Sequence, residues 1–184
     1  YIRPQTFPVA IRMLKPGEPI PDRARRPARD FKKLSMSCQV IDMSRRYGWM
    51  IALTREDHIC SLGITAIGFD KPLPIYNVGT LCEGMYTETK AAGQRSEAAI
   101  DKFAPGEYHC LLVAPLDRAT FEPHIVCVYA NPAQVMRLTQ AALWKRGGRL
   151  TSSFEGRAVC ADIIVTTMKT GEPQVILPCS GDRI

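Results

Sequence analysis

No apolar run in the sequence approaches the ~18 residues that a membrane-spanning helix requires, so no span is expected. Acidic residues are the minority, with 18 Asp and Glu against 24 Lys and Arg, a formal charge of +6. Histidine occurs only at positions 58, 109 and 124, and no G-x-S-x-G elbow is present, so a standard hydrolase is not supported. Neither G-x-G-x-x-G nor G-x-x-x-x-G-K-S/T occurs, which removes the usual dinucleotide and P-loop sites. There is no C-x-x-C, no bacterial ferredoxin spacing and no C-x-x-C-H, which argues against zinc ribbons, thioredoxin-like centres and haem attachment. No secretory signal peptide stands at Tyr1, and this first residue is not Met, so the chain is expected to be processed or trimmed.

What is present is 184 residues, 46% hydrophobic and 23% charged, the proportions of one globular domain over 1–184 rather than a disordered tail or a fibre. Seven cysteines, at 38, 60, 82, 110, 127, 160 and 179, are the unusual feature. The odd count and the absent leader argue against a disulfide framework and for a reducing, cytoplasmic setting. Six basic residues crowd one stretch: Arg23, Arg25, Arg26, Arg29, Lys32 and Lys33. Its only aromatic is Phe31, too few for the stacking platform of a single-strand binder. Nucleic acid is therefore not the expected partner, and a solvated surface segment is the plainer reading.

Strands and helices are interspersed along the chain. Residues 8–14 and 49–53 read as strands, and the apolar runs 109–114 and 124–129 as two central strands. A helix is expected over 31–47, stopped by Gly48. Another starts either at the capping-box spacing of Thr54 to Asp57 or just after Cys60, and a modest one covers 94–103. Residues 70–88, with Pro72, Pro74, Gly79 and Gly84, read as a long loop. Asn131-Pro132-Ala133-Gln134 gives the clearest signal: an N-cap, proline at the first helical position and Gln at the third. Val135, Leu138 and Ala142 then line one face, which is expected to pack into the core, until Gly147-Gly148. Residues 149–154 and 174–177 read as strands, and 160–169 as a helix closed by Gly171. The fold class is α/β or α+β, a mixed sheet with interspersed helices. The recurrence of Leu-Thr ahead of Cys60 and Cys160 hints at internal duplication.

Four cysteines fall at element ends or in polar surroundings: Cys38, Cys60, Cys160 and Cys179. Element ends display ligands, and a helix start favours the thiolate that binds metal. Cys110 and Cys127 lie within apolar strand runs and read as core residues, while Cys82 carries no assignment. By spacing alone the four polar cysteines read as ordinary free thiols rather than as one site.

Several segments resemble the DUF169 family, an uncharacterised group common in archaea and anaerobic bacteria. They are Val113-Ala114-Pro115-Leu116, Phe121-Glu122-Pro123, and Tyr129-Ala130-Asn131-Pro132-Ala133-Gln134-Val135-Met136-Arg137-Leu138. Thr54-Arg55-Glu56-Asp57-His58-Ile59-Cys60, Val159-Cys160-Ala161-Asp162 and the ending Leu177-Pro178-Cys179-Ser180-Gly181-Asp182-Arg183 also resemble it. The resemblance covers about 8–183. It implies cysteines at positions 38, 60, 160 and 179 and further chain at both ends, and it brings no established reaction. Ser61 departs from the family's usual proline.

Together the positions and the resemblance lead to an expected metal site of Cys38, Cys60, Cys160 and Cys179. A 4Fe-4S iron–sulfur cluster is the preferred cofactor and zinc the alternative. Arg157 and Arg183 are candidates to contact and tune that cofactor. The expected role is electron transfer or small-ligand redox chemistry, with a protein partner or homo-oligomerisation. A metal-free module binding an anionic metabolite through Arg157, Arg183 and the Ser180-Gly181 backbone is the alternative, as is a zinc-stapled structural subunit.

Overall fold

The structure is a computed structural model and describes residues 2–177. It is an α+β fold built on a four-stranded antiparallel sheet, ordered β2-β3-β1-β4. The strands are β1 (Val9–Leu14), β2 (Ile51–Thr54), β3 (Cys110–Pro115) and β4 (Ile125–Cys127). β1 runs the length of β3, pairing Val9 with Pro115 and Leu14 with Cys110. Every residue of β2 and β3 is buried, because both faces of the sheet are covered. Alternate side chains divide between two clusters. Val9, Ile11, Met13, Ile51, Leu53, Leu111 and Val113 enter the main core, with Val40, Ile41, Ile67, Ile164 and Val165 from the helical layer. Leu14, Ala52, Cys110 and Leu112 fill the opposite face beneath Ala24, Ile20 and Phe121. Two-sided burial is why these strands read as continuous apolar runs.

Segment 124–129 is not a second central strand. β4 is three residues long, lies at the sheet edge and pairs only with β1, through Val9–Cys127 and Ile11–Ile125. Its residues are buried, exposed and half-buried in turn. The helix expected from residue 31 begins later. A short α1 (Pro27–Asp30) comes first, and Lys32 then takes a left-handed backbone (φ 55°), which breaks the helical path. Beyond it α2 (Ser37–Tyr47) runs to Gly48, whose φ of 73° lets its N–H reach the Ser44 carbonyl.

Thr54 caps a single 3₁₀ turn, Arg55–Asp57, and the true helix start is after Cys60, at α3 (Ser61–Ala66). The expected 70–88 loop contains α4 (Pro74–Asn77) and docks on α5 (Lys90–Ala99). The contact is between glycine backbones: a Cβ on Gly79 would stand 2.1 Å from the Lys90 carbonyl oxygen. No apolar period announces that packing. α5 starts four residues earlier than expected because Thr89 Oγ1 accepts the Ala92 N–H.

α6 (Pro132–Leu143) has the expected cap, with Asn131 Oδ1 accepting the Gln134 N–H and the Gln134 amide oxygen accepting the Asn131 N–H. The expectation that its apolar face fills the core is overturned, since no residue of α6 is buried. Residues 149–154 and 174–177 form no strands. They run together through Ser152 Oγ, which donates to the Val175 carbonyl and accepts its N–H, so a side chain replaces the ladder. Thus Leu53-Thr54 lies in a strand and Leu150-Thr151 does not, and the hint of duplication gains nothing. After Cys160 the chain makes a π-helical turn, Ala161–Thr166, and then α7 (Thr167–Thr170), closed by Gly171.

Candidate thiolate site

The site is assembled from the ends of β2, α2 and the π-helical turn around one buried imidazole. Asp57 anchors it. Its carboxylate accepts hydrogen bonds from Thr54 N and Oγ1, Ala28 N and Arg26 Nε, the last at 2.6 Å. Burial alone would raise its pKa, but these donors outweigh it and hold the carboxyl below the usual range. The Asp57 carbonyl also accepts the Ser35 N–H, which brings the approach to α2 alongside.

His58, next along, is 3% exposed. Its Nδ1 accepts the Cys60 N–H at 3.1 Å, so the neutral ring carries its proton on Nε2 and donates to Ser37 Oγ at 2.8 Å. Burial first, and then the Arg55 charge, push its pKa down to about 4, so the ring is neutral at pH 7. With both nitrogens engaged His58 positions its neighbours and is no metal ligand in this arrangement.

Cys60 caps α3, and its Sγ accepts the Gly63 N–H at 3.4 Å. Gly63 is buried, and a Cβ there would stand 2.9 Å from His58 Cε1 and 3.6 Å from Cys160 Sγ. Both sulfurs therefore lie close to one glycine, within about 10 Å of each other by backbone geometry. They arrive from segments a hundred residues apart. Cys38 occupies the first turn of α2 beside the Ser37 that holds His58. All three cysteines are half-buried. Among the described residues no three His, Cys, Asp or Glu side chains are grouped so as to hold a metal ion. Cys179 and Arg183 lie outside the described residues.

Arg157 is committed elsewhere. Its buried guanidinium pairs with Glu97 and contacts Cys82 Sγ, with the Tyr86 ring 5.7 Å away. Lys102 Nζ approaches the other Glu97 oxygen at 3.5 Å. This cluster gives the unassigned Cys82 its place, and no sequence spacing could have disclosed it because its members are spread from residue 82 to residue 157. Cys110 is a core residue as expected, and burial pushes its thiol up to about 12. Cys127 is only half-buried, on the edge strand. The described cysteines form no disulfide with one another. Much of the basic block is used internally: Arg26 holds Asp57, Arg25 stacks on Trp49 at 4.5 Å, and Arg23 donates to the Arg118 carbonyl. No described helix is long and apolar enough to cross a membrane.

Comparison with known proteins places these features in a family. DUF169, described as an uncharacterised ArCR, matches residues 1–184. The chain belongs to the DUF169 family. Among DUF169-like relatives, an uncharacterized protein of Methanocaldococcus jannaschii is 29% identical over 179 residues, spanning 95% of this chain and 74% of that protein. No solved structure matches this DUF169 chain.

Proposed function

We propose that this protein is an iron–sulfur protein in which Cys38, Cys60, Cys160 and Cys179 hold a 4Fe-4S cluster, serving electron transfer or redox chemistry on a small ligand. The observation that carries the reading is the approach of the Cys60 and Cys160 sulfurs to the same residue, Gly63, beside a neutral buried histidine. The donor set suits the group: thiolates are the usual ligands of such clusters, and an N–H bond to a ligating sulfur raises its potential. The cluster would supply one-electron chemistry. The chain's own residues fix the ligands: Asp57 anchors the turn, His58 orients Cys60 and tethers α2, and Gly63 leaves the space a side chain would fill.

In this reading the protein works in a reducing cytoplasm as one component of a larger complex, since electrons need a donor and an acceptor. Binding energy at the site is also folding energy, because it would tie α2 and α3 to Cys160 and Cys179, distant in sequence. The test is the visible spectrum and metal content of protein purified without oxygen. A broad band near about 400 nm that dithionite bleaches supports the cluster. A colourless protein holding zinc, or no metal, overturns it.

A further inference from the structure

α6 is well capped, yet it buries nothing in the core. Its Val135, Leu138 and Ala142 instead wall a cavity of about 840 Å³. The opposite wall is Ile125, Cys127 and Tyr129, on and just beyond the open edge of β4, with Ile163 beneath. The volume falls in the ~300–1,000 Å³ range of small-molecule pockets, and the lining is mostly aliphatic or aromatic.

One wall carries a built polar group. The Arg45 side chain is 9% exposed, and the Tyr129 ring lies 4.0 Å from its Cζ. Its Nη2 pairs with Asp42, but its Nε has no hydrogen-bond partner, and a buried unpaired donor is costly. The local charge does not cancel, because Arg46 also pairs with Asp42, at 3.0 Å, setting two guanidinium groups against one carboxylate. Of the other titratable groups on the cavity wall, Glu172 is held by Arg146 at 2.6 Å. His124 is kept toward its neutral form by burial and by the Arg12 charge. Among the described residues the charge left over beside the cavity is therefore a single positive one, shared by Arg45 and Arg46.

We infer that the cavity between β4 and α6 binds a small amphipathic carboxylate, with its head at the Arg45 guanidinium and its apolar body along Val135, Leu138 and Ala142. None of Cys38, Cys60 and Cys160 lines the cavity, and the inference does not rest on the cluster. An apolar body recovers the hydrophobic free energy that α6 leaves unrealised, while the carboxylate meets the net positive charge that Arg45 and Arg46 leave over Asp42.

The test titrates the full chain by calorimetry with three probes of equal chain length, decanoate, decanol and decylammonium. Decanoate is expected to bind about tenfold or more tighter than decanol, and decylammonium not at all. Leu138→Trp fills the cavity from a helix that buries nothing, so it should abolish decanoate binding while leaving the ligand-free melting temperature within a few degrees. Arg45→Met, with Asp42 still paired to Arg46, should erase the preference for decanoate over decanol. Should Arg45→Met fail to fold, the probe series and Leu138→Trp decide. Equal affinity for decanoate and decanol, undiminished binding in Leu138→Trp, or no decanoate binding at about 1 mM would each overturn the proposal.

Discussion

Removing one partner of the Glu97–Arg157 pair should destabilise this protein more than removing both. The two side chains are 3% and 4% exposed, and the Arg157 guanidinium touches a buried thiol on its other side. Ion pairs this deep gain little net free energy, but breaking one strands a charge that has lost its hydration, at about 3–5 kcal/mol. The partners left behind set the order. Arg157→Met leaves Glu97 with Lys102, 3.5 Å away and 23% exposed, so its cost belongs near about 3 kcal/mol. Glu97→Met leaves a guanidinium facing only Cys82 and the Tyr86 ring, so its cost belongs near about 5 kcal/mol. The double variant removes both desolvation penalties and should lose less than either single one. Reversible urea melts followed by circular dichroism give all three values, at an unchanged m-value. Additive losses, with the double variant worst, would refute the argument, because two uncoupled residues behave that way.

Gly63→Ala should cost about 1–3 kcal/mol through overpacking, despite a gain of about 1 kcal/mol in helix propensity, because His58 is fixed at both nitrogens and cannot yield. Melts of the metal-free chain measure that cost, and iron analysis of the anaerobic protein should show a parallel loss. Cys179→Ser should lower metal content and melting temperature together, whereas Cys127→Ser should alter stability alone. Leu138→Ala should lose under about 1 kcal/mol while Leu111→Ala, fully buried in the sheet, loses about 2–5 kcal/mol. Cys110 should resist iodoacetamide at pH 8 until denaturant is added, because its thiol is held up at about 12 and few molecules carry the reactive thiolate; labelling of the native protein at the rate of an exposed thiol would contradict that.

What could be read from the sequence was local. The Asn131–Gln134 box and the Gly48 and Gly171 stops are set by neighbours within one turn, so their residue types announce them. The apolar runs at β1, β2 and β3 were legible because burial on both faces leaves no polar alternation. The same rule failed at 124–129, where an edge strand borrowed the look of a central one. It failed again at α6, where an amphipathic stripe marks a cavity wall and its period cannot tell a wall from a core. Cys38, Cys60, Cys160 and Cys179 were chosen from polar context and element ends; of these the fold brings Cys60 and Cys160 close to one glycine, and Cys179 lies outside the described residues. Gly63, Ser37 and His58, which organise that approach, carried no sequence signal. Their roles rest on tertiary contacts across 21 and 97 residues.

The most direct measurement of the central claim is iron and acid-labile sulfide per chain in protein isolated without oxygen, read beside its visible spectrum. A four-thiolate cluster predicts about four of each, with an absorption near about 400 nm that dithionite bleaches and that Cys60→Ser or Cys160→Ser removes. A folded, colourless protein free of iron and sulfide would contradict it.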